Sequence, residues 1–546
     1  MIETKLGQAR LLTAMVDLEY LFRSSDGETC FVTVAVNGHH ETYPIRSKAF
    51  RRWLVGKFYA IESKPPGAQA LQDALGAIEA RAQFGGNLHP VHVRVAGDDE
   101  TIYLDLCDET WRVVEITADG WRITEKQEAV KFKRSRGMLP LPLPVRGGSI
   151  NDLRNFVNLD NEEQWTLLAA WLVAALRPTG PYPVLALLGE QGTAKSTLQE
   201  TFRALLDPNV APLRAEPRDV RDVMIAASNG WCLVFDNLSD IEPWLSDCLC
   251  RLSTGGGFST RTLFSDDDEI IFAATRPIML NGIDSVISRA DLFDRALIVE
   301  LPRISDEKRR QRREYWSAFE AARPALLGAL LDTVAVALSR HREIVLPSLP
   351  RMADFASWAV AAEPALGLPA GGFLAAYAGN QLSAHGLALD ASPIAPAVRQ
   401  LAEQHAHWKG TAAELLEELD KIADDATRRA RTWPTTPRFL ASALRRAAPS
   451  LRAIGVCVEF IDERELGARR RQIRVRRGAE SSVPTVPHRS CTGSGTQTER
   501  KDGSVERGGN ALGAVGNARN DGNNESRSRS NQSMLRPADD ADEDAV

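Results

Sequence analysis

Residues 184–197 read VLALLGEQGTAKST. Val184 to Leu188 is a short apolar run, the pattern of a buried strand. Gly189, Glu190, Gln191, Gly192, Thr193 and Ala194 follow, and Lys195, Ser196 and Thr197 open a helical pattern that runs to Leu206. Strand, glycine-rich loop, Lys-Ser and helix is the order a phosphate-binding loop requires. Glycines let backbone N–H groups close around a β-phosphate, and the helix aims its positive N-terminus at the same anion. Lys195 would reach the β- and γ-phosphates, and Ser196 would give a hydroxyl to Mg2+. One position departs from GxxxxGK[ST], because Ala194 stands where glycine is expected. A methyl group fits there if φ is negative, with Gly192 left to supply the turn. The stretch predicts ATP as ligand, with Mg2+ as its ion.

Three further stretches fit the same chemistry. Trp231 to Phe235 is a second apolar strand, and it ends in Asp236-Asn237. A carboxylate at the end of such a strand is what a second Mg2+-holding element needs. Asn237 cannot act as a base, so water activation falls to another group, with Asp240 a candidate, or hydrolysis is slow. A third strand, Pro277 to Leu280, ends in Asn281, placed to orient water against a γ-phosphate. Arg289 and Arg295 precede the apolar strand Ala296–Leu301. An arginine here could reach a neighbouring subunit's nucleotide, a contact that raises turnover by roughly 10³–10⁵-fold in other enzymes. Arg295 is favoured of the two, and a surface salt bridge is its plain alternative.

The order of these elements resembles that of superfamily 3 helicases within the AAA+ ATPases, closest to phage-, plasmid- and virus-type primase–helicases. The residues that carry the likeness are GEQGTAKST at 189–197, CLVFDN at 232–237, LSTGGGFSTRTLF at 252–264, IMLNGI at 278–283 and DLFDRALIVELP at 291–302. It covers roughly residues 150–305. The resemblance implies a hairpin between the second and third motifs that grips single-stranded DNA in a central channel. Here that hairpin would run from Phe258 to about Ala273, with Phe258, Arg261 and Phe264 as contacts through phosphate and base stacking. It also implies a homo-oligomer, a hexameric ring with nucleotide sites shared between subunits. The chain as a whole is similar to ATP-binding proteins of bacterial mobile elements.

The fold class expected is multidomain α/β: a P-loop NTPase core with an N-terminal α+β domain and a C-terminal winged helix. Residues 1–145 read as an α+β accessory region with hairpins at 91–106 and 111–124. Its helix near 46–59 carries Arg46, Lys48, Arg51, Arg52 and Lys57. Phe50, Trp53, Leu54 and Phe58 fall at helical spacing and read as core, which leaves the basic residues as a solvated face. Nucleic-acid binding by that face is the rival reading. Residues 146–180 read as connector and helix, 181–304 as the ATPase core, and 305–392 as a helical lid. The run Lys308–Arg313 reads as a solvated helix face.

Residues 393–477 pattern as helices followed by a β-hairpin. Thr436-Pro437 starts the last helix, with threonine capping and proline in the first turn. Arg438, Arg445 and Arg446 on that helix, and Arg470 among the arginines of the hairpin, suit duplex DNA. A protein-contact role is the alternative, with replication proteins as partners. Residues 478–546 are rich in Ser, Gly, Asn and charge, and read as a disordered tail.

The chain has 546 residues, 44% hydrophobic and 25% charged, which suits several soluble domains. A net charge of −6 puts any nucleic-acid contact on local patches rather than on the total. The seven cysteines form no CxxC pair and the nine histidines no zinc spacing. Cytoplasmic, reduced and without membrane contact is the expectation, since the start MIETKLGQAR is polar and the apolar helix Trp165–Leu176 is too short to span a bilayer. The function expected is an ATP-dependent DNA helicase or translocase of a mobile element. The alternative is an ATP-binding switch or partner loader with little hydrolysis and no unwinding.

Overall fold

A computed structural model describes residues 7–124, 130–239, 241–261, 269–272, 274–282, 289–465 and 468–478. Asp240, Phe264 and the 478–546 tail beyond Gly478 were singled out in the sequence and lie outside the described residues.

The chain builds mixed α/β layers around a parallel sheet. That sheet has four strands in the order Leu233–Phe235, Ile278–Asn281, Val184–Leu188, Ala296–Glu300, every neighbour parallel. Both faces are covered, as an all-parallel sheet requires. Alternation along Val184–Leu188 sorts its side chains. Leu185 and Leu187 enter one core with the helix Glu162–Ala174, and Val184 and Ala186 enter another with the helices Val220–Asn229 and Pro243–Thr254. Glu162–Ala174 is buried all round from Trp165 onward, not on one face only, because helices and sheet close over it together. It is preceded by a separate 3-10 turn, Ile150–Phe156, so the helix expected within 146–180 comes in two pieces with a break at 157–161.

Residues 7–88 hold a core of their own. Strands ordered His39–Pro44, Cys30–Val36, Leu21–Arg23, Asn87–Leu88 carry the helices Lys48–Glu62 and Ala68–Gly85. Phe50, Leu54 and Phe58 are fully buried there, as their spacing required, while Trp53 is half-buried at the edge. A second antiparallel sheet, Val95–Gly97 to Gly120–Thr124, shares its core with the central body. The first expected hairpin differs from the reading. Val95–Gly97 pairs with Ile102–Asp105, whereas Val91–His92 pairs in parallel with Lys131–Phe132. Arg94, at φ 63°, turns the chain between the two.

The helix Arg312–Arg340 runs straight through Pro324. The Pro324 carbonyl accepts from the Val145 N–H at 2.9 Å, so the proline-rich connector docks on this helix. Residues Arg312–Glu343 are long and apolar enough to cross a membrane by composition, a longer run than the one read from sequence, and 61% of its most apolar 18-residue stretch is buried inside the protein.

The C-terminal part packs the helices Ala395–Gln404, Ala412–Ile422 and Pro437–Ala453 on a three-stranded antiparallel sheet. Thr411 and Glu414 cap one helix reciprocally, and the Thr436 hydroxyl caps another. The expected hairpin pairs Val456–Glu465 with Ala468–Arg477, and His407–Gly410 adds a third strand that sequence periodicity missed. Among the described residues all six cysteines are unpaired, and burial pushes the Cys232 and Cys250 thiols up to about 12.

Asp207 joins the N-terminal part to the sheet. It is fully buried, and its carboxylate accepts from Arg94 Nε at 3.0 Å, with Arg203 Nη2 at 3.5 Å. Oδ2, the oxygen that Arg203 faces, also accepts from the Trp231 N–H at 2.9 Å, just before the strand that leads to Asp236. Burial pushes the Asp207 carboxyl up, but Arg203, Arg94 and the Trp231 N–H outweigh it and hold it below the usual range. Its contribution to stability is therefore present at neutral pH and lost as pH falls through the lowered value. Asp207→Ala leaves two buried guanidinium groups without their counter-ion, and we expect a loss of about 3–5 kcal/mol in chemical denaturation. A change under about 1 kcal/mol would contradict this role.

Candidate nucleotide site

The glycine-rich loop leaves the sheet at Gly189 and returns as the helix Lys195–Leu206. Gly189 sits at φ 137°, and a Cβ there would stand 2.7 Å from the Leu301 carbonyl oxygen. Only glycine fits. Gly192 is also at positive φ. Ala194 is left-handed too, at φ 67° and ψ 26°. The negative φ expected for it is therefore corrected: the turn into the helix needs the left-handed region whichever residue occupies it. A non-glycine residue there carries roughly 1–2 kcal/mol of strain.

Inside the loop Thr193 is buried, and its hydroxyl donates to the Glu190 carbonyl at 3.1 Å. Asn158 clamps the loop from outside, its amide donating to the Thr193 carbonyl at 3.2 Å. Glu190, Gln191 and Gly192 are exposed at the tip. The Lys195 ammonium donates to the carbonyls of Gly189 at 2.5 Å and Glu190 at 2.8 Å. Burial lowers its pKa, against Asp236, which raises it. Thr197 is half-buried at the start of the helix.

Behind the loop four polar side chains meet. The Ser196 hydroxyl donates to Asp236 Oδ1 at 2.7 Å. Asn281, nearly fully buried at the end of its strand, donates through Nδ2 to the same carboxylate oxygen at 2.5 Å and to Gln199 Oε1 at 2.8 Å. Asn281 Oδ1 accepts from the Asn237 N–H at 2.5 Å. The chain turns at Asn237, φ 57°, and its side chain is exposed. Asn281 thus acts by holding Ser196, Asp236 and the Asn237 backbone in place. Gln199, fully buried, also donates to the Phe235 carbonyl at 3.2 Å, and sequence reading missed it. Its signal was present: a polar residue three positions after Ser196, on the helix face that should be apolar.

A cleft of about 840 Å3 opens beside the loop, lined by Phe156, Asn158, Gly192, Thr197, Arg309 and Trp316 among others. Lys308, Arg309, Arg310 and Arg312 line this cleft and stay exposed, so the run is solvated as read, but it is not one helix face. Only Arg312 and Arg313 belong to the long helix, while Lys308 ends a 3-10 turn and Arg309 and Arg310 lie between. Arg309 Nη2 stands 3.7 Å from where a Cβ on Gly192 would be. Its ion pair is with Asp306, at 3.4 Å.

Arg295 sits elsewhere. Its carbonyl accepts from the Val184 N–H at 2.8 Å, at the opposite end of the sheet from Gly189. Five steps of extended chain separate Val184 from Gly189, about 16 Å. Its guanidinium bonds Asp291, which Arg351 also pairs with at 3.0 Å. Arg289 is more exposed, 40% against 16% for Arg295, and pairs with Asp247 at 3.0 Å. Neither arginine meets the loop within one chain.

Phe258–Arg261 pairs antiparallel with Glu269–Phe272. The side chains of Phe258 and Arg261, like all of Phe264, lie outside the described residues. On the C-terminal helix Arg438, Arg445 and Arg446 are exposed, beside Phe439 at 65% exposure. Arg445 stacks 4.5 Å over the Phe460 ring, and Arg446 donates to the Ser442 hydroxyl. On the hairpin Arg474 and Arg476 both pair with Glu459, which lowers the free charge expected of that face. The Arg470 side chain lies outside the described residues.

Residues 150–381 match the family described as actinomycete integrative conjugative element replication protein, and residues 394–490 match the C-terminal domain of that replication protein. Together the two stretches make up more than half of the chain. The chain belongs to this family of mobile-element replication proteins. The match takes in the loop, Asp236, Asn281 and the 308–313 run, and it leaves residues 1–149 outside. No curated protein matched the sequence. Among solved structures, the apo C-terminal region of NrS-1 overlays at TM-score 0.36 and 10% identity, covering 86% of this chain and 98% of that one. A second structure of that region, residues 305–718, overlays at 0.34 and 12%, covering 88% and 100%. Overlays this loose do not establish a shared overall fold.

Ala194→Gly relieves the left-handed strain, and glycine's greater freedom in the unfolded chain offsets part of the gain. We expect a net gain of up to about 1 kcal/mol, read as a higher unfolding midpoint. A lower midpoint would mean that the methyl group packs in a way that outweighs the strain.

Proposed function

We propose that this replication protein is an ATP-dependent DNA helicase or translocase that replicates its mobile element, working as a hexameric ring with nucleotide sites shared between subunits. The observation that carries the ATPase reading is the Ser196–Asp236 hydrogen bond at the mouth of the glycine-rich loop, held by Asn281. A hydroxyl and a carboxylate side by side, one residue after a lysine, suit a Mg2+-nucleotide. Among the described residues no cluster of three or more His, Cys, Asp or Glu could hold a metal by itself. That fits Mg2+, which takes few protein ligands and completes its shell with phosphate oxygens and water. The ion would neutralise phosphate charge there.

In this reading the backbone N–H groups of Gly189–Thr197 cradle the phosphates. Lys195 exchanges its carbonyl partners for phosphate oxygens, a stronger, charge-assisted contact. Arg309 adds positive charge from the same chain, over Gly192. Arg295 would act on the neighbouring subunit's nucleotide, since a head-to-tail contact brings one subunit's far sheet edge to the next subunit's loop. Arg295 must first leave Asp291. Single-stranded DNA would be held by Phe258, Arg261 and Phe264 of the core hairpin. The C-terminal part, read as a winged helix, would hold duplex DNA or replication proteins through Arg438, Arg445, Arg446 and Arg470.

Asn237 favours a second reading, an ATP-binding switch with little turnover. It stands where a carboxylate would polarise the attacking water, and its amide has no basic nitrogen. Steady-state ATPase rates, with and without single-stranded DNA, separate the two. The helicase reading expects DNA to stimulate the wild type, Lys195→Ala to abolish turnover, and Arg295→Ala to abolish turnover while ATP still binds. Wild-type turnover no faster than Lys195→Ala, with ATP bound, gives the switch.

A further inference from the structure

The Lys48–Glu62 helix lies in the N-terminal region that neither family match reaches. Phe50, Leu54 and Phe58 bury one side of it completely. Successive helical residues are about 100° apart, so Lys48, Arg52, Gly56 and Tyr59 fall in one stripe on the opposite side. Arg51 flanks that stripe. Arg51, Arg52 and Tyr59 are exposed, Tyr59 at 58%. The ion pairs at the two ends of this helix are Arg46 with Glu79 and Lys64 with Glu62. Neither uses Lys48, Arg51 or Arg52, so three cations stand without a counter-ion among the described residues.

Gly56 is the second observation. It sits mid-helix, where glycine costs about 1 kcal/mol relative to alanine. A Cβ at Gly56 would meet nothing within 4 Å, so no packing inside the chain requires the glycine. It leaves a notch on the outer face between Arg52 and Tyr59, where a strand can approach the helix backbone.

We propose that this face, Lys48, Arg51, Arg52 and Tyr59 around the Gly56 notch, is a binding surface for single-stranded DNA. The cations meet phosphates, and the Tyr59 ring takes the face of an unpaired base. A duplex keeps its base faces stacked inside, so the exposed ring selects single strands. The surface is independent of the nucleotide site and of the DNA contacts proposed above.

The test uses the full chain with oligothymidylate carrying 5-iodouracil, irradiated without any nucleotide and mapped by mass spectrometry. We expect an adduct at Tyr59. It should persist in Tyr59→Phe and disappear in Gly56→Glu, which fills the notch with negative charge. In Lys48→Ala/Arg52→Ala the salt dependence of the adduct should flatten by roughly 1.4 in log–log slope, about 0.7 for each phosphate that is no longer neutralised. Adducts that map only elsewhere, or equal competition from a duplex, would overturn the proposal. Because no ATP is present, a failure of the ATPase reading would leave this result unchanged.

Discussion

The carboxylate of Asp207 is the point on which the architecture turns. It lies at the end of the helix that starts with Lys195, and it binds Arg203 of that helix, Arg94 of the N-terminal part and the backbone that enters the strand to Asp236. An isolated buried charge would be prohibitive, so the carboxylate persists only because the two guanidinium groups and the N–H groups surround it. The consequence is geometric. The two elements that present Ser196 and Asp236 are tied together at their far ends, so the hydroxyl and carboxylate at their near ends meet at a set distance. Asn281, with Gln199 beneath it, makes the matching tie at the near end.

The loop shows how far local sequence rules reach. Strand, loop and helix follow from 184–206 alone, because a buried strand, a glycine turn and a helix start each leave their own pattern. The residues at the strand ends, Asp236 and Asn281, are also legible, since a polar residue closing an apolar run has few places to go. The sign of φ at Ala194 is not legible, because composition does not report backbone dihedrals. The turn into the helix fixes them, and alanine adopts them at a cost.

Other features are invisible for a different reason. Asp207, Arg94 and Arg203 look like ordinary charges in sequence, and the Arg94–Asp207 pair that buries them joins residues more than a hundred positions apart. The charge of the 308–313 run does not reveal that Lys308, Arg309, Arg310 and Arg312 line the cleft beside Gly192. The strand His407–Gly410 is too short to show alternation, and pairing with the Ala468–Arg477 strand creates it. On that same hairpin Glu459 takes up Arg474 and Arg476, so a count of arginines overstates the charge left for DNA.

The central claim is that Ser196 and Asp236, held by Asn281, form the ion-bearing side of an ATP site. Isothermal titration of ATP into the wild type, Ser196→Ala and Asp236→Ala, each with Mg2+ and with EDTA, tests it most directly. The account predicts wild-type binding that weakens at least tenfold when Mg2+ is removed, about 1.4 kcal/mol, and variants that bind weakly whether or not Mg2+ is present. Equal ATP affinity in all three proteins, or wild-type binding indifferent to Mg2+, would contradict it.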